Sequence, residues 1–297
     1  MDKYAIQVSN AIHPNQVRLG DVTKWREWDI DFGSIDLMLG GFPCQAWSMA
    51  GKQLGDKDER GMLFWVMLDI FKEVRKHNPK AQFLIENVKM KKEFEQYITN
   101  HTEQALGEVH KTLINSALVS AQNRNRYYWT SFPVSQPSDR GVLLGDVLEN
   151  GVVDRDKSYC VDANYFKGGN LVSYFEKHRR QLVFNQPCRV SERGRRLTVC
   201  GTKRDDVLGL VVRGYEGGNT KKTTCLTTVQ KDNYVLQDYM VRKLTPRECF
   251  RLQTVPERYI DKILSCGVSN TQLYKIAGNG WTDEVIAHIL SHLGKEA

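Results

Sequence analysis

This 297-residue chain lacks the features that mark several classes of protein. No hydrophobic run is long enough to cross a bilayer, and the N-terminal MDKYAIQV has no signal-peptide pattern. The seven cysteines include no Cys-x-x-Cys pair, and no acidic residue lies between His288 and His292, so we expect no metal site. The odd number of scattered cysteines favours a reducing, cytoplasmic compartment.

The positive charge of the chain is concentrated in one region. Residues 151–240 carry 16 Lys or Arg and 10 Asp or Glu, which leaves nearly all of the net charge of +7 in under a third of the chain. Basic side chains mixed with Gly, Asn, Thr and Tyr are typical of a surface that contacts phosphates. A basic face that is only solvated would have the same composition.

The order of apolar runs predicts an α/β fold. SIDLMLGG, AQFLIENV and VHKTLINSALV are typical of strands, and GMLFWVMLDIFKEVRKH lies between the first two. In that helical stretch one face carries Leu63, Phe64, Met67, Ile70, Phe71 and Val74. Strands that alternate with helices favour a sheet with parallel strands.

Three regions follow from this pattern. Residues 1–150 form an α/β domain, and residues 151–240, which are rich in Gly and polar residues, form a small irregular domain. Residues 241–297 return to helical patterns and complete the first domain, with a helix start predicted at Pro246 and a helix cap at Thr282 or the residue before it.

Residues suited to covalent chemistry follow two of the predicted strands. Cys44 follows SIDLMLGG in Pro-Cys-Gln, and Glu86 comes at the end of AQFLIENV. Ligands gather at the carboxyl ends of strands in α/β sheets, so both side chains could face one cleft. A free thiol has a pKa of ~8.5, and nearby arginines would increase its thiolate fraction. The alternative for Cys44 is one more buried cysteine.

Taken together, several strings identify a resemblance to the DNA (cytosine-5) methyltransferases. They are GDVTKW, GGFPCQAWSMAGKQ, DERG, ENV, QNRNRYYW, LGDVLE, RKLTPRECFRLQTVPERY and IAGNGW. The resemblance implies a Rossmann-like, S-adenosylmethionine-dependent methyltransferase fold. It also implies that 151–240 is a small, irregular, β-rich target-recognition domain that contacts duplex DNA.

The resemblance implies a catalytic set of four residues. Cys44 would add to carbon 6 of a cytosine flipped out of the duplex, so that carbon 5 can attack the methyl group of S-adenosylmethionine. Glu86 would contact ring nitrogen 3 and the exocyclic amine, Arg126 would hold the oxygen at position 2, and Arg124 would steady the pocket.

Cofactor and DNA contacts are carried over in the same way. The expected cofactor residues are Asp21 and Val22 near the adenine, Pro43 and Leu63 as apolar contacts, and Asn279 and Trp281 near the methionine end. The expected DNA contacts are Ser48 and Arg60 in the loop after the cysteine, and Arg193, Arg195 and Arg196 in the middle domain.

The chain departs from the family pattern at its start. In the family, a Phe-x-Gly-x-Gly turn and an acidic residue at a strand end hold the cofactor. This sequence begins with Met1-Asp2-Lys3 and contains neither feature, so we expect an N-terminally incomplete fold. A truncation, a separately encoded piece that completes the sheet, or an inactive DNA-binding relative would each explain this. Cys225-Leu226 stands where Thr-Leu is frequent in the family, which leaves target contacts there open.

Three functions other than DNA methylation are alternatives for this sequence. A tRNA methyltransferase of the same fold and an inactive relative stay open, whereas a Cys-His hydrolase gives the Gln-x-Arg-x-Arg and Leu-Thr-Pro strings no role. The sequence fits either a bacterial or phage restriction–modification system or a solitary enzyme.

Overall fold

A computed structural model describes residues 2–43, 61–169, 171–184 and 241–294, together with the backbone of three short strands between 188 and 236. The helices are α1 (Lys3–Ile12), α2 (Leu63–His77), α3 (Lys92–Leu106), α4 (Leu171–Phe175), α5 (Pro246–Leu252), α6 (Glu257–Ser265), α7 (Asn270–Asn279) and α8 (Asp283–Leu290). The strands are β1 (Leu37–Gly41), β2 (Gln82–Val88), β3 (His110–Asn115), β4 (Asn125–Thr130), β5 (Leu182–Phe184), β6 (Cys188–Ser191), β7 (Val211–Arg213), β8 (Tyr234–Leu236) and β9 (Val241–Lys243).

The central sheet has the strand order β1-β2-β4-β3. β1 and β2 are parallel, as the sequence pattern predicts, and Gly41 pairs with Glu86 at their carboxyl ends. β4 runs antiparallel to both β2 and β3, so the expectation of parallel strands throughout is wrong for this half of the sheet. Among the described strands, β1 forms one edge of the sheet.

α2 and α3 cover one face of the sheet. Phe64, Met67, Phe71 and Val74 of α2 are buried, which confirms the apolar face predicted from their spacing. They pack with Phe83 and Ile85 of β2 in one hydrophobic core. α2 has basic residues in its last turn, where they interact favourably with the helix dipole, and its cap Asn78 directly precedes a proline.

α8 covers the opposite face of the sheet. Leu84 of β2 and Tyr128 of β4 pack against Val285 and Ile289 of this helix. Side chains alternate between the two faces of a strand, so Glu86 lies on the same face as Leu84. The expected catalytic carboxylate of Glu86 therefore lies on the face that carries α8.

A second core joins the C-terminal helices to distant parts of the chain. Val161, Tyr165 and Val183 of segment 151–184 pack in one cluster with Phe250 of α5 and Val8 of α1. Helix α5 starts at Pro246, as predicted, with Thr245 and Glu248 forming a capping box. Thr282 is the cap of α8. The predicted domain boundaries at 150 and 240 stay a prediction.

Two further sheets are small. β5 and β9 pair antiparallel, and a three-stranded sheet has the order β7-β6-β8. The second of these sheets comes from the region predicted to be irregular and β-rich.

Candidate active site

The carboxylate of Glu86 is held from two sides at the end of β2. Its Oε1 accepts from Arg126 Nε at 2.9 Å, and its Oε2 accepts from Trp281 Nε1 at 3.1 Å. Both members of the ion pair are largely enclosed, with 13% and 14% of their side-chain surface exposed. A side chain at Gly41, the neighbour on β1, would approach the Glu86 carbonyl oxygen to 3.1 Å, so glycine leaves room here.

The pairing of β2 with β4 explains this contact. Glu86 lies opposite Tyr128, and Arg126 is two residues before Tyr128 on the same face of β4. Burial, together with the charge of Glu86, raises the pKa of the Tyr128 hydroxyl. The phenol beside the ion pair therefore stays neutral at physiological pH.

Arg124 has a different environment from Arg126. It is 3% exposed, and its guanidinium donates to the carbonyl oxygens of Val161 at 3.0 Å, Gly278 at 3.2 Å and Gly280 at 2.8 Å. These contacts tie the segment before β4 to the turn after α7. Arg124 therefore holds these two segments together, and its expected role in steadying the pocket stays a prediction.

Asn87 connects the same strand to the segment that leads to Cys44. The Asn87 side chain is 1% exposed, and its Nδ2 donates to the Phe42 carbonyl at 3.0 Å. Its Oδ1 accepts from the Val88 N–H at 2.8 Å. Pro43 follows Phe42 directly, so the end of β1 is held against β2. Cys44 lies outside the described residues.

A buried group of amides and hydroxyls lies behind the site. Gln122 donates to the Leu252 carbonyl at 2.6 Å and to Gln253 Oε1 at 3.0 Å, and Thr282 donates to that same oxygen at 3.0 Å. Gln253 in turn donates to the Ala277 carbonyl at 2.6 Å. This network links the start of β4, the end of α5 and the turn before α8.

The expected cofactor residues fall on two sides of the site. Val22, Pro43 and Leu63 line one cavity of about 420 Å³ that runs along β1, and Asp21 directly precedes Val22. Asp21 caps the short helix Val22–Glu27, and hydrogen bonds from Thr23 lower the pKa of its carboxyl.

The other two expected cofactor residues lie at the end of α7. Asn279 is the last residue of that helix, and Trp281 follows in the turn. The Trp281 indole reaches the carboxylate of Glu86. One expected cofactor residue is thus joined directly to the candidate catalytic carboxylate.

Sequence reasoning missed a second thiol beside the two arginines. The Sγ of Cys160 lies 3.4 Å from Arg124 Nη1 and 4.0 Å from Arg126 Nη2. Its position in the variable middle region offers no motif that would have drawn attention to it. The anchoring role of Asn87 was also missed, although its place in Glu-Asn-Val could have prompted it.

Several expected contacts cannot be placed. Cys44 and the expected DNA contacts Ser48, Arg60, Arg193, Arg195 and Arg196 lie outside the described residues and stay predictions. In the part of the chain that the structure describes, no group of three His, Cys, Asp or Glu could hold a metal ion. No helix in this part has the length and hydrophobicity to cross a membrane.

Solved structures with a similar fold are methyltransferases. The chain aligns with the methyltransferase EhMeth of Entamoeba histolytica at a TM-score of 0.60 and 11% identity, over 99% of this chain and 89% of that one. A mutant DNMT2 of Spodoptera frugiperda aligns at a TM-score of 0.55 and 17% identity, over 99% of this chain and 90% of that one. At these identities the likeness shows the methyltransferase fold.

The sequence matches are more specific. The chain is 33% identical to the type II methyltransferase M1.ScrFI of Lactococcus lactis subsp. cremoris, over 94% of this chain and 66% of that protein. It is 29% identical to the type II methyltransferase M.HpaII of Haemophilus parainfluenzae, over 88% of this chain and 72% of that protein. The chain therefore spans about two thirds of the length of these curated relatives.

A family profile covers nearly the whole chain. The profile described as C-5 cytosine-specific DNA methylase matches residues 1–295. This confirms the resemblance drawn from Pro-Cys-Gln, Glu-Asn-Val and Gln-x-Arg-x-Arg. The chain belongs to the C-5 cytosine-specific DNA methylases, enzymes that use S-adenosylmethionine as methyl donor.

Proposed function

We propose that this chain methylates carbon 5 of cytosine in duplex DNA after the base has been flipped out of the helix. The observation that carries the proposal is the Glu86 carboxylate, held by Arg126 and Trp281 at the carboxyl ends of two parallel strands. Gly41 pairs with Glu86, and Cys44 follows three residues later, which supports a thiol and a carboxyl at one edge of the sheet.

The proposed chemistry gives each side chain one task. The Cys44 thiolate forms a bond to carbon 6, and the electron pair of the 5,6 double bond becomes available at carbon 5. Glu86, protonated when the base binds, gives its proton to ring nitrogen 3 and accepts from the amine, and Arg126 donates to the oxygen at position 2, so both stabilise the negative charge that the addition creates. After methyl transfer, loss of the carbon 5 proton restores the double bond and expels the thiolate.

The described residues fit the methyl donor. S-adenosylmethionine would supply its sulfonium methyl group as the electrophile. The cavity along β1 is lined by Val22, Pro43 and Leu63, and its apolar walls suit an adenine ring. Asp21 would contact the adenine beside Val22, and Asn279 and Trp281 would contact the methionine end.

We further propose that an additional strand completes the cofactor site. β1 is parallel to β2 and forms an open edge among the described strands, and such an edge presents N–H and C=O groups that can pair with a further strand. Leu39, in the middle of β1, is 43% exposed. A segment carrying the Phe-x-Gly-x-Gly turn, on this polypeptide or on a separate one, would pair with this edge.

The relatives support a setting for the reaction. They come from bacteria and from a Bacillus phage, and several are type II methyltransferases. We place the reaction in the bacterial cytoplasm, either within a restriction–modification system or as a solitary activity.

Covalent trapping tests the function. The purified chain, together with a polypeptide that carries the Phe-x-Gly-x-Gly turn, is incubated with S-adenosylmethionine and duplex DNA that carries 5-fluorocytosine, because fluorine blocks the final elimination. We expect an adduct that withstands denaturing electrophoresis with wild type and with Cys160→Ser, which removes the neighbouring thiol, and no adduct with Cys44→Ser. An adduct that persists in Cys44→Ser and disappears in Cys160→Ser would show that Cys160, and not Cys44, is the nucleophile. Absence of an adduct with every protein would refute the proposed methyl transfer.

A further inference from the structure

A short basic turn follows helix α4. Residues 175–180 read Phe-Glu-Lys-His-Arg-Arg, and Lys177, His178 and Arg179 are exposed to solvent. The Phe175 ring is also 53% exposed, beside these charged side chains. Among the described residues, no ion pair involves Lys177 or Arg179. The positive charges of this basic turn are therefore available to an external partner.

The backbone of the basic turn adopts a conformation that its residues disfavour. His178 has a φ of 48° and Arg180 a φ of 63°, in the left-handed region that glycine adopts most easily. Such strain is maintained only where the surrounding structure imposes it, and it is concentrated at functional segments. The fold thus holds the turn in one shape.

An aromatic stack joins the basic turn to the candidate base pocket. The Tyr159 hydroxyl lies 3.4 Å from His178 Nδ1, and the Arg155 guanidinium lies 4.1 Å from the centre of the Tyr159 ring. Cys160, the next residue along the chain, contacts the guanidinium of Arg126 at 4.0 Å. Two adjacent residues, Tyr159 and Cys160, therefore connect the turn to Arg126.

We propose that the basic turn binds the DNA backbone beside the flipped cytosine. Lys177 and Arg179 contact phosphates, and the exposed Phe175 ring contacts uncharged parts of the nucleotides. Exposed aromatic rings among basic side chains are typical of surfaces that bind nucleic acid. This inference rests on the proposed function, because it takes the partner to be the DNA substrate.

The salt dependence of DNA binding tests the inference. Affinity of the full chain for a short, fluorescently labelled duplex is measured by anisotropy between about 50 and 200 mM KCl. The double variant Lys177→Gln/Arg179→Gln should reduce the slope of log affinity against log salt by about 1.8, since each phosphate contact contributes about 0.9. His178 and Arg180 are left unchanged because of their backbone conformation.

A matched control removes the same charge elsewhere. Lys72→Gln/Lys92→Gln changes two exposed lysines on α2 and α3 and should leave the slope as in wild type. Phe175→Ala should lower affinity by roughly tenfold and leave the slope unchanged, because the lost contact carries no charge. Circular dichroism and thermal unfolding confirm that each variant is folded.

The outcomes separate the two proposals. If wild type binds DNA in a salt-dependent way and the two double variants have equal slopes, the basic turn does not contact the DNA backbone. That result would refute this inference and would leave the proposed function unaffected. Wild type that does not bind duplex DNA, or that binds an RNA duplex more tightly, would instead refute the DNA substrate and with it both proposals.

Discussion

The two arginines of Gln-x-Arg-x-Arg should differ in what their loss does to the protein. Arg124→Gln removes the donor to three carbonyl oxygens, those of Val161, Gly278 and Gly280, of which the first two are in buried hydrogen bonds. Hydrogen bonds to charged groups each contribute about 1.5–3 kcal/mol, and those sharing one side chain are not additive. We expect the free energy of unfolding to fall by about 3–5 kcal/mol, a large part of the 5–15 kcal/mol typical of a domain.

Arg126→Gln should have the opposite profile. The change breaks the ion pair with Glu86, but the carboxylate keeps the hydrogen bond from Trp281, so we expect a stability loss of only about 1–2 kcal/mol. Methyl transfer should fall by at least about 100-fold, because the donor proposed to contact the oxygen at position 2 of the base is lost.

Urea unfolding, followed by tryptophan fluorescence, measures the loss of stability. Incorporation of labelled methyl groups into DNA measures the loss of methyl transfer. Two results would refute the reasoning: a stability loss below about 1 kcal/mol for Arg124→Gln, or a larger loss for Arg126→Gln than for Arg124→Gln.

Two further pairs of substitutions test contacts around the site. Trp281→Phe removes the indole donor to Glu86 and should lower the turnover number about tenfold. Trp28→Phe removes an Nε1 that has no hydrogen-bond partner among the described residues, so it should cost no hydrogen bond in an unfolding measurement. Equal turnover in Trp281→Phe and wild type would contradict this role of Trp281. Gly278→Ala would place a methyl group 2.2 Å from the backbone of Asp162 and should prevent stable folding, whereas Gly280→Ala, whose methyl group would lie 3.3 Å from the nearest atom, should fold. Circular dichroism measures both results, and a folded Gly278→Ala protein with an unchanged melting temperature would contradict this packing.

Local sequence patterns predicted the part of the fold around β1, α2 and β2. Apolar residues at helical spacing placed Phe64, Met67 and Phe71 on one buried face, and the structure confirms it. Short apolar runs ending in glycine or in Glu-Asn-Val predicted the two strands, and they pair in parallel. These elements follow from side-chain periodicity, which a single sequence contains in full.

Strand direction in the other half of the sheet was predicted wrongly, although a signal for it existed. Only residues 116–124 separate β3 from β4. A parallel pair needs a crossover of a dozen or more residues, so this connection is too short for one. The spacing between the two runs, rather than the composition of either run, indicates the antiparallel pair.

The division of labour within the site could not be read from the sequence in the same way. Arg124 and Arg126 have the same chemistry and are two residues apart, yet one contacts backbone carbonyls and the other contacts Glu86. Those partners come from segments far away along the chain. Which arginine meets which partner depends on how the turn at Trp281 packs against β4.

Buried hydrogen bonds, more than apolar packing, determine where the parts of the site lie. A hydrophobic core tolerates small shifts between its members, because any close apolar contact serves. An amide or guanidinium that is buried must meet its acceptor at a narrow range of distance and angle, or it costs more than it contributes. Gln122, Gln253 and Thr282 are each at most 1% exposed, and together they join β4 to the turn that carries Trp281. A shift of that turn would leave these groups unpaired, and the Glu86 carboxylate would lose its indole donor at the same time.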